Sequence, residues 1–145
     1  MKSMYKKILV PLGNTPSDQA IIDHVKELGK LSGGEILLVH VADGYVARLQ
    51  DQLNLADSEE IKSDQRYLEK CRKDLEKNGR KVKTFLVQGE PADKILDVAR
   101  QEGCDLIAMA THGHKFVKDL ILGSVADAIR HRTDIPVLMI RSKVK

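Results

Sequence analysis

Short runs rich in leucine, isoleucine and valine alternate along the chain with longer stretches of helical spacing. The runs are Lys7–Leu12, Glu35–Val41, Lys81–Val87, Asp105–Ala110 and Pro136–Ile140. They are apolar at nearly every position rather than at every second one, which predicts strands covered on both faces. Between the first two, Ser17–Leu31 sets Ile21, His24, Val25 and Leu28 on one helical face. Thr15 is placed to cap that helix, Pro16 suits its first turn, and Gly33-Gly34 ends it. Ser58–Asn78 carries Ile61, Leu68, Cys71 and Leu75 as a narrow stripe on an otherwise charged surface, with Gly79 as its C-terminal cap. A third helix is predicted over Pro91–Gln101, where Ile95, Leu96, Val98 and Ala99 recur and Gly103 stops the pattern. A fourth is predicted over Ser124–His131, with Val125, Ala128 and Ile129 inward.

The predicted order is β-α-β-α-β-α-β-α-β. Such alternation implies an α/β fold, a parallel sheet between two helical layers. No repeat, low-complexity tract or linker divides the 145 residues, so residues 1–145 read as a single domain. Ala42–Ala56 is the least regular stretch. With 42% hydrophobic and 31% charged residues, the composition is that of a globular domain rather than a disordered chain. Apolar runs such as Leu106–Ala110 fall far short of the ~20 residues a membrane span needs. The opening lysines lead into Ile8-Leu9-Val10, which stops at Pro11, so no secretory leader is expected and the expected location is cytoplasmic.

Charge changes this picture little. Lys and Arg number 24 and Asp and Glu 21, a net +3 that does not by itself point to nucleic acid. Tyr5, Tyr45, Tyr67, Phe85 and Phe116 are scattered and make no stacking platform for single strands. Cys71 and Cys104 lie far apart, as free buried thiols do, and form no zinc or disulfide pattern. The charged positions of Lys62–Lys77 read as a solvated helix face with pairs such as Glu69 and Lys73.

Open parallel sheets bind ligands beyond the carboxyl ends of their strands, where the strand order switches. Three such ends carry candidate chemistry: Pro11-Leu12-Gly13-Asn14, His40-Val41-Ala42-Asp43 and Ala110-Thr111-His112-Gly113. The third continues to Gly123-Ser124 and a helix. Ala110 and Gly113 let a ligand approach the backbone, and a helix start at Gly123-Ser124 offers unpaired amides to an anion. Thr111, His112, His114, Lys115 and Lys118 add donors and positive charge. The Ser124 hydroxyl serves equally to bind phosphate or to cap its own helix. Neither of the common phosphate loops, G-x-x-x-x-G-K-[ST] or G-x-G-x-x-G, is present. His112 and His114 without a carboxylate or cysteine beside them make a poor metal set. Ser124 lacks the surroundings of a nucleophile, and His24 and His40 read as structural.

Several segments together resemble the universal stress protein family. They are Lys7-Ile8-Leu9-Val10-Pro11, Leu38-Val39-His40-Val41, Gly89-Glu90-Pro91, Asp105 to Gly113, Leu122-Gly123-Ser124-Val125-Ala126 and Ile135 to Ile140. The nucleotide-binding branch carries G-x2-G-x9-G-[S/T], matched here in spacing by Ala110, Gly113, Gly123 and Ser124. The resemblance implies a three-layer α/β/α sandwich, Rossmann-like and of the adenine nucleotide alpha hydrolase type, with strand order 3-2-1-4-5. It implies ATP, or AMP or ADP, in a cleft between the first and fourth strands. Gly113, Gly123, Ser124 and Val125 would then cradle phosphates, with His112 and His114 beside them; Ala110 and Thr111 would flank the ribose, and Pro11, Leu12, Gly13 and Val41 the base. A Mg or Mn ion would be held through phosphates rather than by protein ligands.

The chain departs from the family pattern in two places. Ala110 replaces the first motif glycine, and Gly13 stands where the family usually has an acidic residue, with Asn14 and Asp43 nearby. Without that carboxylate no general base is evident, so the expected activity is binding rather than catalysis. A very weak nucleotidase and an interaction protein with a vestigial pocket are the alternatives. The resemblance implies a homodimer through antiparallel pairing of the last strands. Ile135–Ile140, apolar on both faces at a sheet edge, needs such cover in any case. A stress or signalling role with a further protein partner is likewise implied by the resemblance.

Overall fold

The apolar runs and the helical stretches between them form the expected elements. The computed structural model describes residues 4–42, 59–112 and 117–142. Within them the order is β1 (Lys7–Pro11), α1 (Asp18–Ser32), β2 (Glu35–Ala42), α2 (Glu59–Glu76), β3 (Val82–Gln88), α3 (Pro91–Glu102), β4 (Leu106–His112), α4 (Val117–Arg132) and β5 (Val137–Ser142). All strand pairs are parallel, and the sheet order is β3-β2-β1-β4-β5.

Alternate strand residues feed two separate cores. Ile8, Val10, Leu12, Ile36 and Leu38 meet Ile21, Ile22 and Val25 of α1 and Leu68, Cys71 and Leu75 of α2. Leu9, Leu37, Val39, Ile107 and Met109 meet Ile95, Leu96 and Ala99 of α3 and Ala126 and Ile129 of α4. The strands are therefore apolar throughout because each face has its own helical layer.

Three local expectations are corrected. Helix α1 buries Ile21, Ile22, Val25 and Gly29, while His24 is exposed. The helix is rotated so that Ile22 takes the inward place, which spares the fold an unpaired buried imidazole. Thr15 does not cap α1: Ser17 occupies the cap position without a side-chain cap bond. Helix α4 begins at Val117, not Ser124. Val117, Leu120, Ile121 and Val125 continue one apolar spacing, and a glycine inside a helix costs only about 1 kcal/mol.

The amino end of the sheet is closed by direct bonds. Asp105, just before β4, accepts the Lys6 amide at 2.9 Å and the Lys7 amide at 3.0 Å, while its own amide donates to the Lys7 carbonyl. The Lys7 ammonium donates to the Glu102 carbonyl at 2.9 Å. Helix α1 ends on Gly33 in the left-handed conformation. The next residue admits no side chain: a Cβ on Gly34 would lie 2.1 Å from the Tyr5 carbonyl oxygen.

Candidate functional site

At the other end of the sheet β1 and β4 part. Their ladder holds only Ile8↔Leu106 and Leu9↔Ile107. Strand β1 stays paired with β2 through Pro11↔Val39, and β4 stays paired with β5 through His112↔Ser142. The carboxyl ends Pro11-Leu12-Gly13 and Ala110-Thr111-His112 therefore lie beyond the β1–β4 ladder, at the point where the strand order switches. Parallel α/β sheets take their ligands at such a place.

The loop that follows β1 is ordered by a carboxylate. Asp18, 1% exposed, accepts the amides of Gly13 at 3.0 Å, Asn14 at 2.8 Å and Thr15 at 3.3 Å. The Tyr67 hydroxyl of α2 donates to the same carboxylate at 2.5 Å. Burial first, and the Asp18 carboxylate second, hold the Tyr67 proton well above the usual phenol range. Asn14 adopts a positive φ of 59°. Its side-chain amide donates to Asp64 at 2.9 Å, and the other Asp64 oxygen lies 3.1 Å from His40 Nε2. His40 Nδ1 faces the Leu12 carbonyl at 2.8 Å. The loop is thus tied to α1, α2 and β2.

The expected binding residues divide into three groups. Pro11 and Leu12 are buried at the end of β1, and exposed Gly13 opens the loop. Val41 is half-buried and packs with the core of the α3–α4 side, whereas Leu12 packs with the α1–α2 side, so these two lie on opposite faces of the sheet. Ala110, Thr111 and His112 belong to β4 itself rather than to the loop beyond it. Ala110 is 2% exposed and its backbone does not need a positive φ, so the methyl group is free of backbone strain. Gly13 likewise is not in the left-handed region, and a Cβ there would meet nothing closer than Thr15 Cγ2 at 3.8 Å.

Gly123 and Ser124 lie inside α4, and the first-turn amides belong to residues 117–120. The expectation of unpaired amides at Gly123-Ser124 is corrected accordingly, since interior helix amides bond within the helix. Val125 is half-buried against the α3–α4 core. Gly113, His114 and Asp43 lie outside the described residues. The Asn14 side-chain nitrogen donates to Asp64, which turns that amide toward α2.

Sequence reasoning missed Asp18, Tyr67 and Asp64. Asp64 had a visible signal: it sits three residues after Ile61 and four before Leu68, inside the stripe that α2 buries. Among the described residues no group of three His, Cys, Asp or Glu is arranged to hold a metal. The two cysteines are free and buried; burial raises both thiols, Cys104 to about 11. No described helix is long and apolar enough to cross a membrane.

Residues 4–141 match the model of the universal stress protein family. Universal stress protein MJ0577 of Methanocaldococcus jannaschii is 31% identical over 99% of each chain. A solved structure of the MJ0577 protein superposes with a TM-score of 0.84 at 32% identity, covering 98% of this chain and 99% of that one. The universal stress protein of Archaeoglobus fulgidus in complex with dAMP shares the fold, with a TM-score of 0.68, 20% identity and coverage of 94% and 98%. So does a universal stress protein in complex with cAMP, with a TM-score of 0.69, 17% identity and coverage of 96% and 98%.

Proposed function

The chain belongs to the universal stress protein family, and from that premise we propose that it holds an adenine nucleotide in the gap between β1 and β4. The observation that carries this reading is the early end of the β1–β4 ladder, beside strands whose outer pairings continue. Relatives of the same fold in complex with dAMP and cAMP support the adenine class. In this reading Pro11, Leu12, Gly13 and Val41 border the base, and Ala110 and Thr111 run along the ribose. The phosphates meet His112, Gly113, His114, Gly123, Ser124 and Val125. ATP is the proposed resident, with AMP and ADP as close alternatives. A divalent ion is carried by the phosphates.

The protein is proposed to act as a nucleotide-responsive module in the cytoplasm, signalling through its dimer or a further partner. Asp18 and Asp64, the carboxylates bonded to the β1–α1 loop, are both committed to hydrogen bonds, which favours holding a nucleotide over hydrolysing it. Dimerisation is proposed through β5, an edge strand whose Val137, Leu138, Met139 and Ile140 are only half-buried in the single chain.

The first experiment is to purify the protein without added nucleotide, denature it and identify released small molecules by mass spectrometry. A nearly stoichiometric adenine nucleotide is expected. An empty protein that also ignores millimolar ATP with Mg in a titration would sink the reading. Gly123→Val and Ser124→Ala are expected to weaken binding; unchanged affinity in both would remove the phosphate contacts proposed for α4.

A further inference from the structure

Helix α2 turns a row of cations toward solvent. Arg66, Lys70, Lys73 and Lys77 follow one another at intervals of four, three and four residues, so they share one helix face. Lys77 continues the last turn, where its amide donates to the Lys73 carbonyl at 3.1 Å. All four residues are exposed, and among the described residues none of them forms an ion pair. The acids around them are taken by other cations. Arg72 holds Glu69 and, at 2.6 Å, Glu76, while Lys26 of α1 holds Asp74 at 2.8 Å. Glu69, whose spacing suited Lys73, thus turns to Arg72 and leaves Lys73 unmatched. Like charges so spaced repel one another along a helix. The row is therefore a standing cost to the fold, which acids laid beside it would relieve.

The same four residues line a groove of about 790 Å³ between α1 and α2, together with Ile22, Tyr67 and Cys71. Ile22 and Cys71 belong to the core beneath, and the Tyr67 hydroxyl is bonded to Asp18, so the groove has an apolar floor under a basic rim. We propose that it docks an acidic amphipathic helix of a partner protein, with carboxylates on the row from Arg66 to Lys77 and aliphatic side chains on the floor. That row rises roughly 16 Å, about three turns of a guest helix that carries an acid on each turn. The wall chemistry argues against a nucleic acid. Glu69 and Asp74 line the same groove and would face its phosphates, and a single ring makes no stacking platform for bases. A lipid surface would meet the rim without reaching the recessed floor.

The proposal does not rest on the nucleotide reading. Its probe is a fluorescent synthetic helical peptide with one row of glutamates and a neighbouring row of leucines, titrated by anisotropy into the full-length protein. Saturable binding is expected, weakening as salt is added. Two double variants are compared with wild type: Lys70→Glu with Lys73→Glu, and Lys70→Gln with Lys73→Gln. The charge reversal should weaken binding at least about tenfold, and the neutral pair by less. Control peptides with Gln for every Glu, or Ser for every Leu, should each bind at least about tenfold more weakly. Urea unfolding should show both variants as stable as wild type, since these side chains are exposed. If the reversal proves unstable, the neutral pair decides. In amide NMR spectra the peptide should shift signals of α1 and α2.

Absence of saturable binding by the acidic peptide overturns the docking site, as does affinity unchanged in both variants. Equal binding of the serine peptide overturns the role of the floor, and with it the amphipathic partner. Tighter binding of oligothymidylate, or of vesicles containing phosphatidylserine, than of the peptide overturns the proposal in favour of a nucleic acid or a membrane.

Discussion

The two ends of the sheet use the same chemistry to opposite effect. At the amino end, the Asp105 carboxylate takes two amides of the chain leading into β1 and so bonds β4 to β1 directly. At the carboxyl end, the Asp18 carboxylate takes three amides of the loop leaving β1 and hands that loop to α1 and α2. One acid draws neighbouring strands together. The other satisfies the same kind of donor from a helix and leaves the strands apart. A buried amide must be paired somewhere; which element supplies the acceptor decides whether two neighbouring strands are joined or left unpaired.

The sharpest way to break the closed end is Gly34→Ala, because the new methyl would collide with the Tyr5 carbonyl, which no side-chain movement relieves. A loss on the order of 4 kcal/mol is expected, read from the urea midpoint of unfolding. A near-neutral substitution would mean that the strand start shifts freely.

Asp18→Ala probes the open end. It leaves three loop amides and the Tyr67 hydroxyl without their acceptor, and about 3 kcal/mol of stability should go with them. If the cleft reading holds, AMP affinity falls as well. Asp105→Ala should cost about 2 kcal/mol by the same unfolding measurement while leaving AMP affinity unchanged. Equal effects of the two variants on affinity would erase the distinction between the ends.

Tyr67→Phe removes one hydrogen bond to Asp18 and should cost about 1 kcal/mol. Its pH dependence carries a sign. The folded protein holds the phenol proton above the usual range, so the unfolded chain ionises first. Stability contributed by Tyr67 is full below pH ~10 and falls as pH rises beyond it; in Tyr67→Phe that part of the alkaline loss should be absent from the unfolding profile. The smallest effect concerns the thiols. With Cys104 raised to about 11 by burial, alkylation of the native protein at neutral pH should be slow and should quicken on unfolding. Fast labelling of both cysteines would show that the sheet faces open readily.

Much of this architecture was legible beforehand because it rests on local rules. Strands fell within a residue or two of the apolar runs, and Gly33 and Gly103 end their helices in the left-handed conformation. The stripe Ile61, Leu68, Cys71 and Leu75 is buried as its spacing required. What failed to show was polar and non-local. Asp18 and Tyr67 are 49 positions apart, and Asn14 and Asp64 are 50 apart. Asp18 reads in sequence as surface, and the place of Asp64 in the α2 stripe marks it as buried without naming its partners. The misplaced start of α4 has a different cause: Gly123-Ser124 looks like a helix start, and only the continued apolar spacing from Val117 outweighs it.

The sequence by itself determined the alternation of strands and helices, the parallel sheet, the family and the place where a ligand is to be sought. These follow from hydrophobic periodicity, turn residues and spaced motifs, all of which are short-range or repeat along the chain. The tertiary structure alone decided that β1 and β4 separate after Leu9 and Ile107, that Asn14 turns toward α2, and that His40 and Asp64 share a buried contact. Hydrogen-bond partners distant in the chain carry no periodic signal, because the chain's path brings them within reach only once both cores have packed.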